Sequence, residues 1–216
     1  DDNLKLYKTN NLLAFIKKRI ITKKLIFPFL LMLTYKSGEC FLAAMTLPFC
    51  IDIGFSKEVI ATFTKVFGIL TAIIGSLIAG KFIKEYSDET ALLSGQIFHI
   101  AVVLLFPLLI TYQSELLLFF VFFLDGIASS FTTVVLMNYI IKLLGNKNQM
   151  LARYSIYSAA PYIFNFILAS YSGLITENAG WQFFFCWCAF LMVIPAIILV
   201  VMKFRTILSL KNKLNL

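Results

Sequence analysis

The sequence predicts an all-α membrane protein with six transmembrane helices. Hydrophobic residues make up 60% of the 216 residues and charged residues only 14%, and the mean hydropathy is +0.89. A soluble domain has about 45 to 50% apolar and about 25% charged residues, so the composition excludes a water-soluble globular protein. Apolar stretches long enough to cross about 30 Å of hydrocarbon recur along the whole chain. A transmembrane β-barrel would instead show alternating segments of about 10 residues, which this sequence lacks.

The six predicted spans follow a polar, Lys-rich segment at residues 1–24. In that segment apolar side chains alternate with Lys and Arg, a pattern typical of a helix that lies on an anionic membrane surface. The apolar stretches then place the spans at residues 25–51, 59–80, 90–112, 116–139, 152–175 and 181–202.

Short connections with turn-forming residues separate the spans. Gly54 lies between the first and second spans, and Ser56 two residues later is a candidate N-cap of the second helix. Asn178 and Gly180 lie between the fifth and sixth spans. These residues predict tight turns rather than extra domains in the connections.

The basic residues predict the orientation of the chain in the membrane. Of the 19 Lys and Arg, 16 lie in the N-terminal segment, the second and fourth connections and the C-terminal tail, and one, Lys57, lies on the opposite side. Cytoplasmic loops carry an excess of Lys and Arg, so we expect both termini in the cytoplasm. The net charge of +8 is therefore interpreted as a topology signal, and no nucleic-acid partner is expected.

This orientation divides the chain into three predicted parts. Residues 1–24 form a cytoplasmic basic segment at the membrane interface, residues 25–203 form the six-helix transmembrane bundle, and residues 204–216 form a cytoplasmic tail. Because the chain begins with Asp1 rather than Met, we expect it to be a fragment or one half of a longer protein.

Four charged residues lie deep in the predicted spans, namely Lys36, Glu39, Lys65 and Asp125. Each costs about 2.5 to 3.5 kcal/mol at the bilayer centre unless it is paired or faces water. Lys36 and Glu39 are three residues apart and can pair on one helix face, and helix packing would then bring Lys65 to Asp125. Because ionisable residues in membranes mark substrate or ion pathways, we favour a substrate and proton-coupling site over purely structural pairs.

Small and polar residues form faces on three of the predicted helices. The second helix carries a small-residue stripe that lets helices approach closely, made of Ala61, Lys65, Gly68, Ala72, Gly75 and Ala79. The fourth helix has a polar face made of Asp125, Ser129, Thr132 and Thr133. The fifth helix has a face, here called the polar wall, made of Tyr154, Ser158, Tyr162 and Asn165, continued by Ala169 and Ser172. We expect the polar wall to line a cavity rather than only to join helices.

The third and sixth helices lack comparable faces, so we expect them to face lipid. The one histidine, His99, lies with Gln96 on the third helix. A proton relay is one interpretation of His99, and we favour a neutral histidine hydrogen-bonded within a packing face. Pro161, within the polar wall, is the hinge candidate.

Sequence signals for an enzyme are absent. The chain has no Walker loop, no dinucleotide fingerprint, no metal-ligand cluster and no plausible Ser, His and Asp set, so we expect neither catalysis nor a cofactor or metal. The four cysteines fall within or at the edge of apolar spans, which disfavours a disulfide framework or a zinc site. ATP-driven pumping would need a partner chain.

The first, second, fourth and fifth helices carry charged or polar faces, and the third and sixth do not. This pattern resembles one half of a major facilitator superfamily bundle, which is built from 3+3 helix repeats. Several runs more specifically resemble the C-terminal six-helix half of AmpG-type muropeptide permeases, over about residues 11–202. These runs are Tyr35-Lys36-Ser37-Gly38-Glu39, Gly54-Phe55-Ser56, Lys65-Val66-Phe67-Gly68, Gly75 to Gly80, Phe123-Leu124-Asp125-Gly126 and Gly180-Trp181. Acetyl-coenzyme A transporters share related patterns.

The resemblance implies a permease that imports anhydro-muropeptides by proton symport across the bacterial inner membrane, for peptidoglycan recycling. Its implied partners are the lipid bilayer, protons, a small sugar-peptide solute, and an N-terminal six-helix half or a second copy of the chain. Glu39 or Asp125 would then carry the coupling proton. Lys36 and Lys65 would hold substrate carboxylates, and the polar wall would hydrogen-bond the sugar.

Two other interpretations stay open at this point. One is a transporter of another solute, such as a coenzyme A derivative, a nucleotide or a drug, that uses the same machinery. The other is a truncated remnant or six-helix scaffold that does not transport.

Overall fold

The computed structural model describes residues 26–62, 68–144 and 150–214, and these ranges consist of helices joined by turns. In chain order the helices are α1 (Ile26–Tyr35), α2 (Ser37–Asp52), α3 (Lys57–Thr62), α4 (Gly68–Glu85), α5 (Asp88–Val103), α6 (Leu108–Thr111), α7 (Glu115–Leu144), α8 (Met150–Ala169) and α9 (Ser172–Leu214). The predicted interfacial segment at residues 1–24 and the predicted intramembrane Lys65 lie outside the described residues.

Three of the described helical segments are long and apolar enough to cross a membrane. They are Asp88–Thr111, Glu115–Leu144 and Ser172–Phe204, which correspond to the third, fourth and sixth predicted spans. The first predicted span is divided into α1 and α2. Six membrane crossings therefore stay a prediction for this chain.

The division of the first span falls at Lys36. Its backbone, with φ −102° and ψ 5°, leaves helical geometry between α1 and α2. Ser37 Oγ donates a hydrogen bond of 2.7 Å back to the carbonyl of Thr34 across this point. Side-chain insertion into the backbone ladder is a common cause of helix kinks, and here the kink coincides with a buried charge.

The connections contain two glycines in left-handed geometry, as the turn signals predict. Gly54 has φ 95°, and Ser56 Oγ accepts a 3.3 Å hydrogen bond from the backbone N–H of Val59, which confirms the predicted N-cap. Gly180 has φ 78° and kinks α9 between its two parts. Trp181 Nε1 donates to Asp52 Oδ2 at 2.6 Å. This bond ties the start of the sixth helix to the end of the first.

The fifth helix ends earlier than predicted, at Ala169 rather than near residue 175. The backbone N–H of Tyr171 donates to the carbonyl of Leu168, three residues back, so the helix tightens and stops there. Residues 172–179 instead form the first part of α9. The hydrophobic pattern does not indicate this break because apolar residues continue across it.

Two apolar clusters fill the bundle, one toward each end. The cluster toward the Gly54 turn contains large aromatic residues, including Phe49, Phe106, Phe184 and Phe185. The cluster toward the opposite end, which we call the Ser87 end after the turn between α4 and α5, contains Leu31, Met32, Leu92, Val135 and Tyr157. Buried polar residues lie between the two clusters, including Lys36, His99 and Thr132. The charged layer thus lies between two apolar clusters.

Close packing of α4 on α7 places the small residues of the second helix. A Cβ atom added at Gly75 would overlap the Ser130 side chain and the Ile127 carbonyl, so the two backbones approach closely. Of the predicted small-residue stripe, Gly75 and Ala79 are buried in this contact, whereas Ala61, Gly68 and Ala72 are exposed. The stripe is therefore a helix contact only over its second half.

The expectation that the third and sixth helices simply face lipid is wrong in part. In the sixth helix Phe183 and Phe190 are exposed, but Cys188 and Met192 are buried against the rest of the bundle. In the third helix His99 is buried and contacts charged residues. Both helices have one exposed apolar side and one side that packs in the core.

Candidate functional site

The ammonium group of Lys36 lies inside the bundle and is held by four acceptors. It donates to Glu39 Oε2 at 2.5 Å, to Thr133 Oγ1 at 2.8 Å and to Thr132 Oγ1 at 2.9 Å. The carbonyl of Ser129 lies 3.2 Å from the same nitrogen, so two of the four acceptors share one of its three N–H donors. Lys36 is only 5% exposed, so these bonds replace the water that a lysine would otherwise need. The contact between Lys36 and Glu39 is the one that their spacing predicts.

The carboxylate of Glu39 joins α2 to two other helices. Its Oε1 accepts a hydrogen bond of 2.8 Å from Ser129 Oγ on α7. Its Oε2 lies 3.7 Å from Nδ1 of His99 on α5. Glu39 is thus shared between the ammonium of Lys36, a hydroxyl and an imidazole.

His99 connects Glu39 to the second buried carboxylate, Asp125. Its Nε2 lies 3.1 Å from Asp125 Oδ1, and its side chain is 2% exposed. The sequence favours a neutral histidine within a packing face and gives Asp125 a different partner, Lys65. In the structure Asp125 contacts His99, and Lys65 lies outside the described residues. Four titratable side chains, Lys36, Glu39, His99 and Asp125, therefore form one continuous group, which we call the charge cluster.

A narrow cleft adjoins the Lys36 side of the charge cluster, toward the Ser87 end. Its polar lining consists of Lys36, Thr133, Tyr154, Tyr157, Ser158, Tyr162 and Asn165, together with apolar residues of α1, α7 and α8. The four polar-wall residues thus share this Lys36 cleft with the lysine. Its volume of about 30 Å³ is comparable to the space that one water molecule occupies.

Asn165 is the least satisfied polar side chain of the Lys36 cleft. It is 1% exposed, and neither its amide nitrogen nor its amide oxygen has a hydrogen-bond partner among the described residues. A buried polar group without a partner destabilises a fold by about 1 to 3 kcal/mol. Such a side chain is suited to pair with a polar group that enters the cleft.

A larger cleft adjoins the other end of the charge cluster, toward the Gly54 turn. It has a volume of about 380 Å³ and lies between α2, α4 and α7. Its lining includes Thr46, Thr71 and Phe119, and among the described lining residues Asp125 alone carries a charge. The Asp125 side chain is 26% exposed. Asp125 therefore lines one cleft, and Lys36, the partner of Glu39, lines the other.

This arrangement of charged and polar side chains is suited to bind ions and polar solutes. No group of three or more His, Cys, Asp or Glu that could hold a metal occurs in the described ranges. Buried charges of both signs beside polar clefts are the features that transport proteins place in the membrane.

The sequence matches the family model described as Major Facilitator Superfamily over residues 19–214, which is nearly the whole chain. The chain belongs to the major facilitator superfamily. Membership makes it a membrane protein of a transporter family and agrees with its all-helical fold. It also supports the expectation that the chain is a transporter component rather than an enzyme.

Within the superfamily, the chain is similar to transporters named AmpG. It is 28% identical over 170 residues to AmpG 2 and over 185 residues to AmpG 1, both of Rickettsia bellii, which covers 78% and 85% of the chain. It is 26% identical over 189 residues to AmpG 3 of Rickettsia typhi, which covers 82% of the chain. The matched parts are only 42 to 45% of these relatives' lengths. The resemblance to AmpG-type permeases is confirmed, and the chain spans less than half of them.

Sequence reasoning finds three members of the charge cluster and misses the connection through His99. Lys36, Glu39 and Asp125 are singled out as intramembrane charges, and the structure brings them together. His99 joins residues on two other helices, and the spacing along one helix does not predict such contacts. The sequence signal that points to His99 is its ionisable side chain, because a lone ionisable residue inside a span marks a functional site by default.

Proposed function

We propose that this chain is the C-terminal six-helix half of a proton-coupled importer of anhydro-muropeptides in the bacterial inner membrane. The observation that carries the proposal is the charge cluster beside the Lys36 cleft in a chain similar to transporters named AmpG. The chain crosses the membrane six times, and both termini lie in the cytoplasm. Its activity depends on a second six-helix unit, since alternating access requires two bundles that move about a central site.

In this proposal the Lys36 cleft belongs to the solute site. Anhydro-muropeptides carry peptide carboxylates, sugar hydroxyls and amide groups. Lys36 supplies a cation for a carboxylate, and Lys65 supplies a second. The hydroxyls of Tyr154, Ser158 and Tyr162 and the unpartnered amide of Asn165 supply hydrogen bonds to sugar and amide groups.

The coupling proton is carried by the carboxylates of the charge cluster. Glu39 pairs with Lys36 when it is ionised, and protonation removes that pairing. Asp125 faces the cleft toward the Gly54 turn, where a proton can enter from one side of the membrane. Substrate binding at Lys36 and proton binding at Glu39 are then linked through the same lysine.

Expansion of the Lys36 cleft to admit a sugar peptide requires a movement of α8. Pro161 interrupts the hydrogen-bond ladder of this helix and lines the cleft. It is the hinge in this proposal.

The direct test is uptake of a labelled anhydro-muropeptide by proteoliposomes that contain the complete transporter with this chain. We expect accumulation when the outside is acidified, and none when the gradient is collapsed. A labelled coenzyme A derivative, assayed in parallel, tests the main alternative solute. Accumulation of that compound without accumulation of the muropeptide would contradict the proposed substrate.

A matched pair of tyrosine variants tests the solute site. Tyr162→Phe removes a hydroxyl from the cleft, whereas Tyr171→Phe removes an exposed hydroxyl outside it. The first variant is expected to raise the half-saturating solute concentration, and the second is expected to leave it unchanged. Equal half-saturating solute concentrations for the two variants would show that the cleft is not part of the solute site.

A further inference from the structure

We propose that His99 carries the coupling proton between Asp125 and Glu39. The inference rests on the proposed function of a proton-coupled transporter and adds a residue to its machinery. His99 stands between the two carboxylates, at 3.1 Å from one and 3.7 Å from the other. Its two ring nitrogens face different partners. Nε2 lies within hydrogen-bond distance of Asp125, and the 3.7 Å between Nδ1 and Glu39 must shorten when the proton passes.

The two clefts give the relay a direction. Asp125 lines the cleft toward the Gly54 turn, and Lys36, the partner of Glu39, lines the cleft toward the Ser87 end. His99 itself lies in neither lining and is 1% exposed. A proton that passes through His99 therefore moves from one end of the bundle toward the other without an open water channel.

Counted over the described residues, the charges of the cluster leave room for one proton. With both carboxylates ionised and a neutral imidazole, Lys36 offsets only one of the two negative charges. A net charge is costly in the membrane interior, and a single bound proton removes it. The segment 181–202 packs against α2 and α5, and it contains no charged residue that could neutralise the second carboxylate instead. Lys65 lies outside the described residues.

Within the part of the chain that the structure describes, the other titratable groups near the charge cluster are phenols and thiols. They include Tyr35 on α1, Cys40 on α2, Tyr162 on α8 and Cys188 on α9. Phenols and thiols ordinarily stay protonated at neutral pH, whereas imidazole as a chemical group exchanges its proton there. His99 is therefore the member of this neighbourhood with the chemistry of a proton carrier.

The proton transfer can be written as two balanced steps. The O–H bond of protonated Asp125 breaks as Nε2 of His99, with its proton on Nδ1, accepts the proton and becomes an imidazolium. The Nδ1–H bond then breaks as Glu39 Oε2 accepts that proton, which leaves a neutral imidazole protonated on Nε2. One proton has left Asp125 and one has reached Glu39. Reversal of both steps restores the starting tautomer.

The transfer has a consequence for solute binding. Once Glu39 is protonated it no longer neutralises Lys36, whose ammonium faces the cleft beside the polar wall. Lys36 then offers an unpaired positive charge to an anionic solute group. His99 thus couples proton arrival at one cleft to anion binding at the other.

The first test needs no transport, because the chain contains a single histidine. The chain is labelled with ¹⁵N-histidine, purified with a histidine-free tag and placed in nanodiscs, so that NMR reports His99 alone. We expect the neutral ring to exchange between the tautomer with its proton on Nδ1 and the tautomer with its proton on Nε2, as the relay requires. Glu39→Gln and Asp125→Asn should each change the balance between the two tautomers. Asp88→Asn, which removes a carboxylate on the same helix away from the cluster, should leave it unchanged.

A ring held in a single tautomer would overturn the relay. A tautomer balance that is unaffected by both cluster variants would overturn it as well. Because neither outcome depends on a substrate, a failure of the relay is distinguishable from a failure of the proposed transport activity.

The second test uses the complete transporter with His99→Gln. Glutamine keeps a donor that can reach Asp125 but cannot carry a proton. We expect this variant to lose accumulation driven by a pH gradient while it retains exchange of labelled for unlabelled solute. Gln96→Asn, on the same buried helix face but bonded to the Met192 carbonyl, is the control and should retain both activities. Retained accumulation by a folded His99→Gln transporter would show that His99 only packs the helices.

Discussion

At the scale of single residues, Asn165 shows how stability and function separate in this bundle. Its amide is buried and has no hydrogen-bond partner among the described residues. By contrast, Lys36 and Glu39 on the same level of the bundle are fully engaged with polar neighbours. A buried amide without hydrogen-bond partners, beside charges that have them, indicates a side chain that serves ligand binding rather than the stability of the fold.

Replacement of this amide should stabilise the protein. Asn165→Leu keeps the branched shape of the side chain and removes two unsatisfied polar atoms, so we expect an increase in stability of about 1 to 3 kcal/mol. Asn138→Leu is the matched control, because Asn138 donates a 3.1 Å hydrogen bond to Asp88 and its loss should destabilise. Thermal unfolding in detergent measures the stability of both variants. A thiol-reactive dye reports unfolding when it reacts with Cys50 and Cys188, which are buried in the folded protein. A lower midpoint for Asn165→Leu would show that the amide is satisfied in the native protein.

The residue scale also shows which contacts the sequence could predict. Lys36 and Glu39 lie one helical turn apart, so their spacing alone predicts the contact. The contact between His99 and Asp125 joins two helices, and it depends on how each helix is rotated about its axis. Spacing gives the face on which a residue lies but not the helix that this face meets.

At the scale of helices, the tightest contact in the bundle is that of α4 with α7. Gly75 on α4 has no room for a Cβ atom, because the Ser130 side chain and the Ile127 backbone occupy that position. Gly80, further along the same helix, has open space where a Cβ atom would lie, with no heavy atom within 4 Å. The two glycines therefore differ in what faces them.

This difference predicts opposite effects of the same substitution. Gly75→Ala should destabilise the protein by about 1 to 3 kcal/mol, because the helices must move apart. Gly80→Ala should leave stability unchanged or raise it by up to about 1 kcal/mol, through the higher helix propensity of alanine. The unfolding midpoints of the two variants under the same conditions test this. Equal midpoints would contradict the close approach of α4 and α7.

The sequence predicts helix ends less well than helix identities. The turns at Gly54 and Gly180 are predictable because glycine in left-handed geometry has a clear signature. The kink at Lys36 and the end of α8 at Ala169 fall inside continuous apolar stretches. Hydropathy reports where a chain can cross a membrane but not where its backbone hydrogen bonds are interrupted.

At the scale of the whole molecule, the basic residues predict an orientation that labelling can measure. In a background without native cysteines, a cysteine at Ser56 or Asn178 should react with an impermeant thiol reagent from outside the cell. A cysteine at Asn146 should react only after the membrane is permeabilised. Ser56 and Asn178 are exposed, so burial does not prevent their reaction. The reverse labelling pattern would overturn the assignment of both termini to the cytoplasm.

The whole molecule also contains an internal control for the role of buried charge. Lys36 and Glu39 form one ion pair within the bundle, and Lys142 and Asp88 form another at the Ser87 end, with a distance of 2.7 Å. Lys142 is half exposed, so the second pair lies near water and contributes little to the stability of the fold. The two pairs have the same chemistry but differ in depth.

Accumulation driven by an imposed pH gradient, in the complete transporter at matched protein levels, tests the central claim most directly. Lys36→Met with Glu39→Gln removes both charges of the pair together, so the variant should fold. It should retain downhill exchange with a raised half-saturating solute concentration, because the Lys36 cation is lost from the solute site. It should lose accumulation, because glutamine cannot accept the coupling proton. Lys142→Met with Asp88→Asn should accumulate solute like the unaltered protein. Full accumulation by the Lys36 and Glu39 double variant would contradict the coupling role of this pair.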